Sequence, residues 1–247
     1  MIAMVAGLVT LGFTALLTIA GVGAAFILIP VFLALGIEMH SAMATALLLN
    51  AVAMAVASVT FVRKRLIVWK IVLPMLVVAS ALAPLGAMVS QGLPRATLGW
   101  LFVGFLVFAA LMMLLYAPRA RDGAAAAASL LGVGVGVGGL AGFLGGLLGV
   151  GGGNIIVPVL VAMGFEPKKA SASSAFVVIF SSLTGFIGHL KLATIGPPLL
   201  AWTAVGSALG ALLGSWLMTE RLRGRHVKVT IGLVLLAIAG KMAWGLA

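Results

Sequence analysis

The chain has 247 residues, 64% of them apolar and only 8% charged, a formal net charge of +11 and no cysteine. A soluble domain averages about 45–50% apolar and about 25% charged residues, so no single aqueous core could enclose this much apolar surface. The composition therefore reads as a polytopic membrane protein. It leaves too few charges for a nucleic-acid interface and no thiol for disulfides, thiol catalysis or thiolate metal sites.

A spanning helix needs about 20 mostly apolar residues. Residues 2–20, 41–62, 71–91, 97–116, 129–148, 170–190, 196–218 and 229–246 meet or approach that length. The opening Met-Ile-Ala-Met-Val-Ala lacks the basic region of a cleaved signal peptide and is read as the start of the first span. After that span comes Gly21-Val-Gly-Ala-Ala-Phe-Ile-Leu-Ile-Pro30. A second version, Gly149-Val-Gly-Gly-Gly-Asn-Ile-Ile-Val-Pro158, follows 128 residues later.

The same offset carries Gly36 onto Gly164, Glu38 onto Glu166, Gly86 onto Gly214 and Gly104 onto Gly232. The protein is thus expected to be two copies of one unit, 1–116 and 129–247, joined by a linker at 117–128. Behind each glycine break stands a short apolar piece, 24–37 and 154–165. At about 1.5 Å per residue these cover about 18–21 Å, less than the ~30 Å hydrocarbon core. Each is expected to be the second part of an interrupted helix or hairpin. Unwound backbone survives in a bilayer only where protein or a water-filled cavity surrounds it. Pro30 and Pro158 are expected within about one turn of each helix start, where a missing N–H is least damaging.

The first helix of the second copy carries Gly134, Gly138, Gly142 and Gly146, one every four residues. Their counterparts in the first copy, Ala6, Thr10, Thr14 and Thr18, are also small. Such stripes let helix backbones approach closely and predict tight packing of both helices, with each other as one arrangement.

Basic residues set the orientation. Arg63, Lys64, Arg65 and Lys70 flank one loop; Arg119 and Arg121, Lys168 and Lys169, and Arg221, Arg223, Arg225 and Lys228 mark three more. If all ten apolar pieces cross, these twelve share one side, and only Arg95, Lys191 and Lys241 fall on the other. The bias places the clusters in the cytoplasm. Equivalent loops of the two copies carry opposite charge bias, so the copies are expected to be inverted: five pieces plus five.

Catalysis finds little support. Gly134-Val-Gly136-Val-Gly-Gly139 matches a dinucleotide-binding pattern, but it lies inside a spanning run with no preceding strand. The acids Glu38, Asp122, Glu166 and Glu220 and the histidines His40, His189 and His226 all fall near segment ends. No enzyme, metal site or cofactor is expected.

What the interior offers is neutral donors. They are the backbone N–H groups of Gly151, Gly152 and Gly153, the Asn154 amide, and the hydroxyls of Ser171, Ser173, Ser174, Ser181, Ser182 and Thr184. The first copy adds Thr45 and Asn50. A helix starting at Asn154 would aim its N–H groups and positive dipole end at the break, where an anion could bind without a buried cation. The competing structural readings are close helix packing for the glycines and bonding to their own helix for the serines.

These residues resemble the sulfite exporter TauE/SafE family, also called the 4-toluene sulfonate uptake permease family. The likeness rests on the doubled run of glycines, apolar residues and proline, continued through Gly164-Phe-Glu-Pro-Lys-Lys-Ala-Ser-Ala-Ser-Ser174 and, in the first copy, through Gly21 to Thr45. The first copy departs from it, with Ala24, Ala25 and Phe26 where the second has Gly152, Gly153 and Asn154. The resemblance implies transport of sulfite, sulfonates or sulfoacetate across a bacterial inner membrane by a multi-pass protein.

The expectation is therefore an all-α polytopic membrane protein of inverted repeats, a secondary transporter working by alternating access. Its substrate-binding residues would be Gly21, Gly23, Thr45, Gly151, Gly152, Gly153, Asn154, Ser171, Ser173 and Ser174. Its partners would be a small anionic substrate and the lipid bilayer, with a coupled ion and a homo-oligomer left open and nucleic acid excluded. An anion channel and a non-transporting membrane subunit that docks a partner are the rival readings.

Overall fold

The computed structural model describes residues 2–19, 23–115, 127–189 and 197–220, together with 233, 236–237 and 239–246. Their regular structure is helical throughout: α1 (Ile2–Ile19), α2 (Ala25–Ala34), α3 (Met39–Arg63), α4 (Trp69–Gln91), α5 (Arg95–Leu115), α6 (Ala127–Leu148), α7 (Gly153–Ala162), α8 (Pro167–His189) and α9 (Pro197–Glu220). Residues 239–246 are helical as well. Among the described residues, five stretches are long and apolar enough to cross a membrane: Met39–Arg63, Trp69–Gln91, Leu130–Leu148, Pro167–His189 and Pro198–Glu220. Large apolar side chains point outward, with Leu8 and Val77 64% exposed and Trp244 87%. This is a multi-pass membrane protein whose outer surface suits lipid rather than water.

The linker expected at 117–128 lies almost wholly outside the described residues. The two short pieces are ten residues each, and the 128-residue offset superposes their bounds. They are shorter than the expected 24–37 and 154–165 because a glycine ends each one. Gly36 (φ 82°) donates to Leu33 O and Ile37 to Phe32 O; Gly164 (φ 92°) donates to Val161 O and Phe165 to Leu160 O. This paired bonding around a left-handed glycine closes a helix end. Pro30 and Pro158 are each the sixth residue of their helices, not in the first turn as expected. The missing proline N–H at position 30 leaves the Phe26 carbonyl without its helical donor.

The glycine stripe of α6 packs on α4, and the small-residue face of α1 packs on α9, rather than the two stripes on each other. A Cβ added at Gly138 would stand 2.8 Å from Met75 Cα, and one at Gly142 would stand 2.5 Å from Ala79 Cα. Backbone therefore touches backbone along this seam. On α9 the close approach comes from Gly206, Gly210 and Gly214, which meet Gly7, Leu11, Thr14, Ala15 and Thr18 of α1. Both pairs run parallel, since Gly134, Gly138, Gly142 and Gly146 meet Ile71/Pro74, Met75, Ala79 and Ala83 in ascending order.

The central pair behaves differently. Leu47 lies against Gly185 and Asn50 against Ser182, so α3 and α8 run antiparallel. At one end of the bundle Lys64 pairs with Glu220 at 2.7 Å, and Lys168 Nζ donates to Thr219 O at 3.2 Å. At the other end Arg95 pairs with Glu38 at 3.0 Å, and Gln91 donates to Gly188 O at 2.7 Å. The basic residues Lys64 and Lys168 thus share an end with the α9 C-terminus, opposite Arg95.

Candidate functional site

Where α6 stops, the chain turns back on itself. Val150 and Gly151 both donate to Gly145 O, at 2.8 and 3.3 Å, and Gly152 then caps α7. The turn needs φ of 71° at Gly149, 75° at Gly151 and 80° at Gly152, a left-handed conformation that glycine adopts at little cost. Gly23, 128 residues before Gly151, is left-handed as well, with φ 80°. At the start of α7 the N–H groups of Gly153 and Asn154 have no acceptor within the helix, and the positive dipole end faces the break.

The long central helices bring side chains to these breaks. Asn50 of α3 is fully buried and donates from Nδ2 to Ser182 Oγ of α8 at 3.0 Å. A Cβ at Gly23 would run into Asn50 Oδ1; one at Gly151 would stand 2.7 Å from Asn50 Nδ2 and would also meet Ser182 Oγ. Asn50 therefore lies against both glycine breaks at once. Ser181 Oγ donates to Gly151 O at 3.0 Å and ties α8 to the same turn.

Several buried polar atoms here have no partner among the described residues: Asn50 Oδ1, both polar atoms of Asn154, and Ser174 Oγ. Leaving such groups unsatisfied costs about 1–3 kcal/mol each, so they are the groups a polar ligand would satisfy. At 100° per residue, Ser171, Ser174, Ser181, Ser182, Gly185 and His189 fall within an arc of about 100° on α8. All six are buried. This face carries hydroxyls along most of the helix. No Asp, Glu, Lys or Arg occurs in α6, in α7, between residues 41 and 62, or between 170 and 188. The centre is neutral.

The expected site residues fall into three groups. Gly23, Gly151, Gly152, Gly153 and Asn154 form the breaks, and Ser171 and Ser174 lie on the buried face of α8. Thr45 and Ser173 are engaged by backbone: Thr45 Oγ1 donates to Ser41 O at 2.7 Å, and Ser173 Oγ accepts the Val68 N–H at 3.0 Å. Gly152 also serves packing, because a Cβ there would collide with the Ala141 carbonyl. Gly21 lies outside the described residues.

Asn50, Ser181 and Ser182 belong to the centre although sequence reasoning left them as general donors. The available signal for Asn50 was its place, a lone amide in the apolar run Ala44–Ala57. Polar residues inside a membrane span are costly and usually functional.

Interrupted helices meeting at a neutral, donor-lined centre define a class: multi-pass helical membrane proteins with paired broken helices. The chain belongs to the sulfite exporter TauE/SafE family, whose model matches residues 4–242. It is similar to the probable membrane transporter protein YunE of Bacillus subtilis, 29% identical over 113 residues, which cover 45% of this chain and 41% of that protein. It also resembles sulfite exporter TauE/SafE family protein 1 of Arabidopsis thaliana, 47% identical over 53 residues, 22% of this chain and 12% of the relative. A probable membrane transporter protein of Methanocaldococcus jannaschii is 40% identical over 57 residues, 23% of this chain and 21% of that protein. Each match spans less than half of the relative's length. No solved structure matches.

Proposed function

We propose that this protein is a secondary transporter of small sulfur-containing anions, of the sulfite, sulfonate or sulfoacetate type, in a bacterial inner membrane. The observation that carries the reading is Asn50, buried against both glycine breaks and bonded to Ser182 of the other copy. The anion would lie among Gly21, Gly23, Asn50, Gly151–Asn154, Ser171, Ser174, Ser181 and Ser182, with Thr45 and Ser173 shaping the walls. A helix N-terminus contributes up to about 2 kcal/mol to a partly buried anion, and each neutral hydrogen bond about 0.5–1.5. A few such donors together reach the ~4–8 kcal/mol of millimolar-to-micromolar binding without a buried cation.

Transport would proceed by alternating access between two inverted halves. The antiparallel pairing of α3 with its equivalent α8 supports inversion, as does the placement of Glu38 and Lys168 at opposite ends. The end bearing Lys64 and Lys168 would be cytoplasmic. In a protein with no native cysteine, Leu66→Cys should resist an impermeant thiol reagent applied to intact cells, and Gly92→Cys should react. Labelling of Leu66→Cys from outside would overturn this orientation.

Purified protein in liposomes loaded with unlabelled sulfite or methanesulfonate should drive saturable counterflow of the labelled anion. Uncoupled current at very high turnover would identify a channel using the same donors. Absence of both flux and binding for sulfite, thiosulfate and sulfonates would refute the substrate class.

A further inference from the structure

His189, the last residue of α8, is fully buried. Its Nε2–H donates to Gly146 O at 2.9 Å, in the last turn of α6 before the glycine break. That bond fixes the tautomer and leaves Nδ1 as a lone pair, and Nδ1 is buried without a partner among the described residues. The His40 ring stands 6.2 Å away, centroid to centroid. His40 Nδ1 lies 3.4 Å from Glu38, which in turn holds the exposed Arg95 at 3.0 Å. Titratable groups therefore lead inward from an exposed ion pair to a buried imidazole bonded to the last turn of α6, just ahead of the glycine break.

The charged surroundings of His189 are few. From α3 come His40 and, at its N-cap, Glu38; from α5 comes Arg95. Lys70 of α4 and Lys168 and Lys169 of α8 belong to the far ends of their helices, and α6 and α7 carry no ionisable side chain. Lys191 follows two residues later, outside the described residues.

A proton on Nδ1 would create a buried cation, which is costly unless a counter-charge is near. An anion at the break supplies one, and the break itself is otherwise neutral. Each ligand then favours the other by the same factor, since coupling between sites is reciprocal.

We propose that His189 takes up one proton at Nδ1 as the anion binds at the adjacent break, so that proton and anion bind and leave together. The inference rests on the anion-transport reading above. The proton comes from water on the Glu38 face, one N–H bond forms, and the bond breaks again when the anion leaves. Uptake of both on one face and release on the other is proton–anion symport.

The test uses full-length protein and methanesulfonate, whose charge is constant across pH ~5–8, the window in which histidine titrates. Wild-type affinity should fall about tenfold per pH unit above its midpoint, because one proton is linked to each anion. His189→Gln, whose amide can still donate to Gly146 O, should bind with little pH dependence, and His40→Gln should keep the dependence. In weakly buffered solution, wild-type protein should take up about one proton per anion bound. This last measurement decides the matter even if a variant fails to fold.

Binding by wild type that ignores pH, or binding with no proton uptake, overturns the inference while leaving the anion site intact. So does a His189→Gln protein with wild-type pH dependence, or loss of the dependence in His40→Gln. If wild type binds neither methanesulfonate nor sulfite at any pH, the anion reading falls and this inference falls with it.

Discussion

Gly142→Leu should leave no stable folded protein in detergent. A Cβ at this position already stands 2.5 Å from Ala79 Cα, and Ala79 O is closer still. The obstacle is backbone, so no rotamer change relieves it. Overpacking a core with extra methylenes costs about 1–3 kcal/mol when side chains can adjust. Here α4 and α6 must separate, which forfeits contact along the whole seam from Gly134 to Gly146. Helices in lipid associate through van der Waals packing and hydrogen bonds, with no solvent-driven term to hold a poorly fitted pair together. Gly136→Leu on the same helix is the matched control, because a Cβ at Gly136 meets nothing within 4 Å among the described residues. Thermal melts followed by size-exclusion chromatography should show Gly136→Leu close to wild type and Gly142→Leu aggregated. A Gly142→Leu protein that melts like wild type would mean the two helices do not touch there.

That contrast marks what the sequence could and could not disclose. Residues four apart announce a smooth helix face, and the face is where it was expected on α6. A smooth face does not name its partner, however. Gly134–Gly146 fit α4, while the glycines of α9 meet Gly7, Leu11, Thr14, Ala15 and Thr18 of α1, only two of them from the expected stripe, because tertiary packing chose the partner and the register. The doubled glycine runs located both breaks, and the left-handed φ shared by Gly23 and Gly151 explains why that glycine recurs. The ends of α2 and α7 were less legible, since hydropathy continues past Gly36 and Gly164 while the backbone does not. Ser173 and Ser174 look alike in sequence, yet one turns to the Val68 N–H and the other to the buried face of α8. Asn50 was hidden for a related reason. Its counterpart at the 128-residue offset is Val178, so the repeat gave it no second copy, and only the antiparallel packing of α3 on α8 puts it at the centre.

Asn50→Asp should then abolish anion transport while preserving the fold. The substitution keeps the shape that fits against Gly23 and Gly151, so neither break needs to move. It replaces a donor with an acceptor, removing the bond from Asn50 Nδ2 to Ser182 Oγ in its present sense; the serine can turn its own hydroxyl toward the new carboxylate. Burial favours the neutral carboxyl, so the anion must either bind beside a carboxylate, which at about 4 Å and an effective dielectric near 20 repels it by about 4 kcal/mol or about a thousandfold in affinity, or wait until the site has taken up a proton. A divalent anion such as sulfite should suffer more than a monovalent sulfonate, since the repulsion scales with ligand charge. Asn50→Leu separates the two effects: it removes the donor without adding charge and should weaken binding by one to two orders of magnitude, about the 1–3 kcal/mol of a lost polar contact. Equilibrium binding and counterflow in liposomes, with melting curves to confirm folding, provide the measurements. A folded Asn50→Asp protein that carries sulfite at the wild-type rate would place the anion away from Asn50, and the centre between the two breaks would be a structural joint instead.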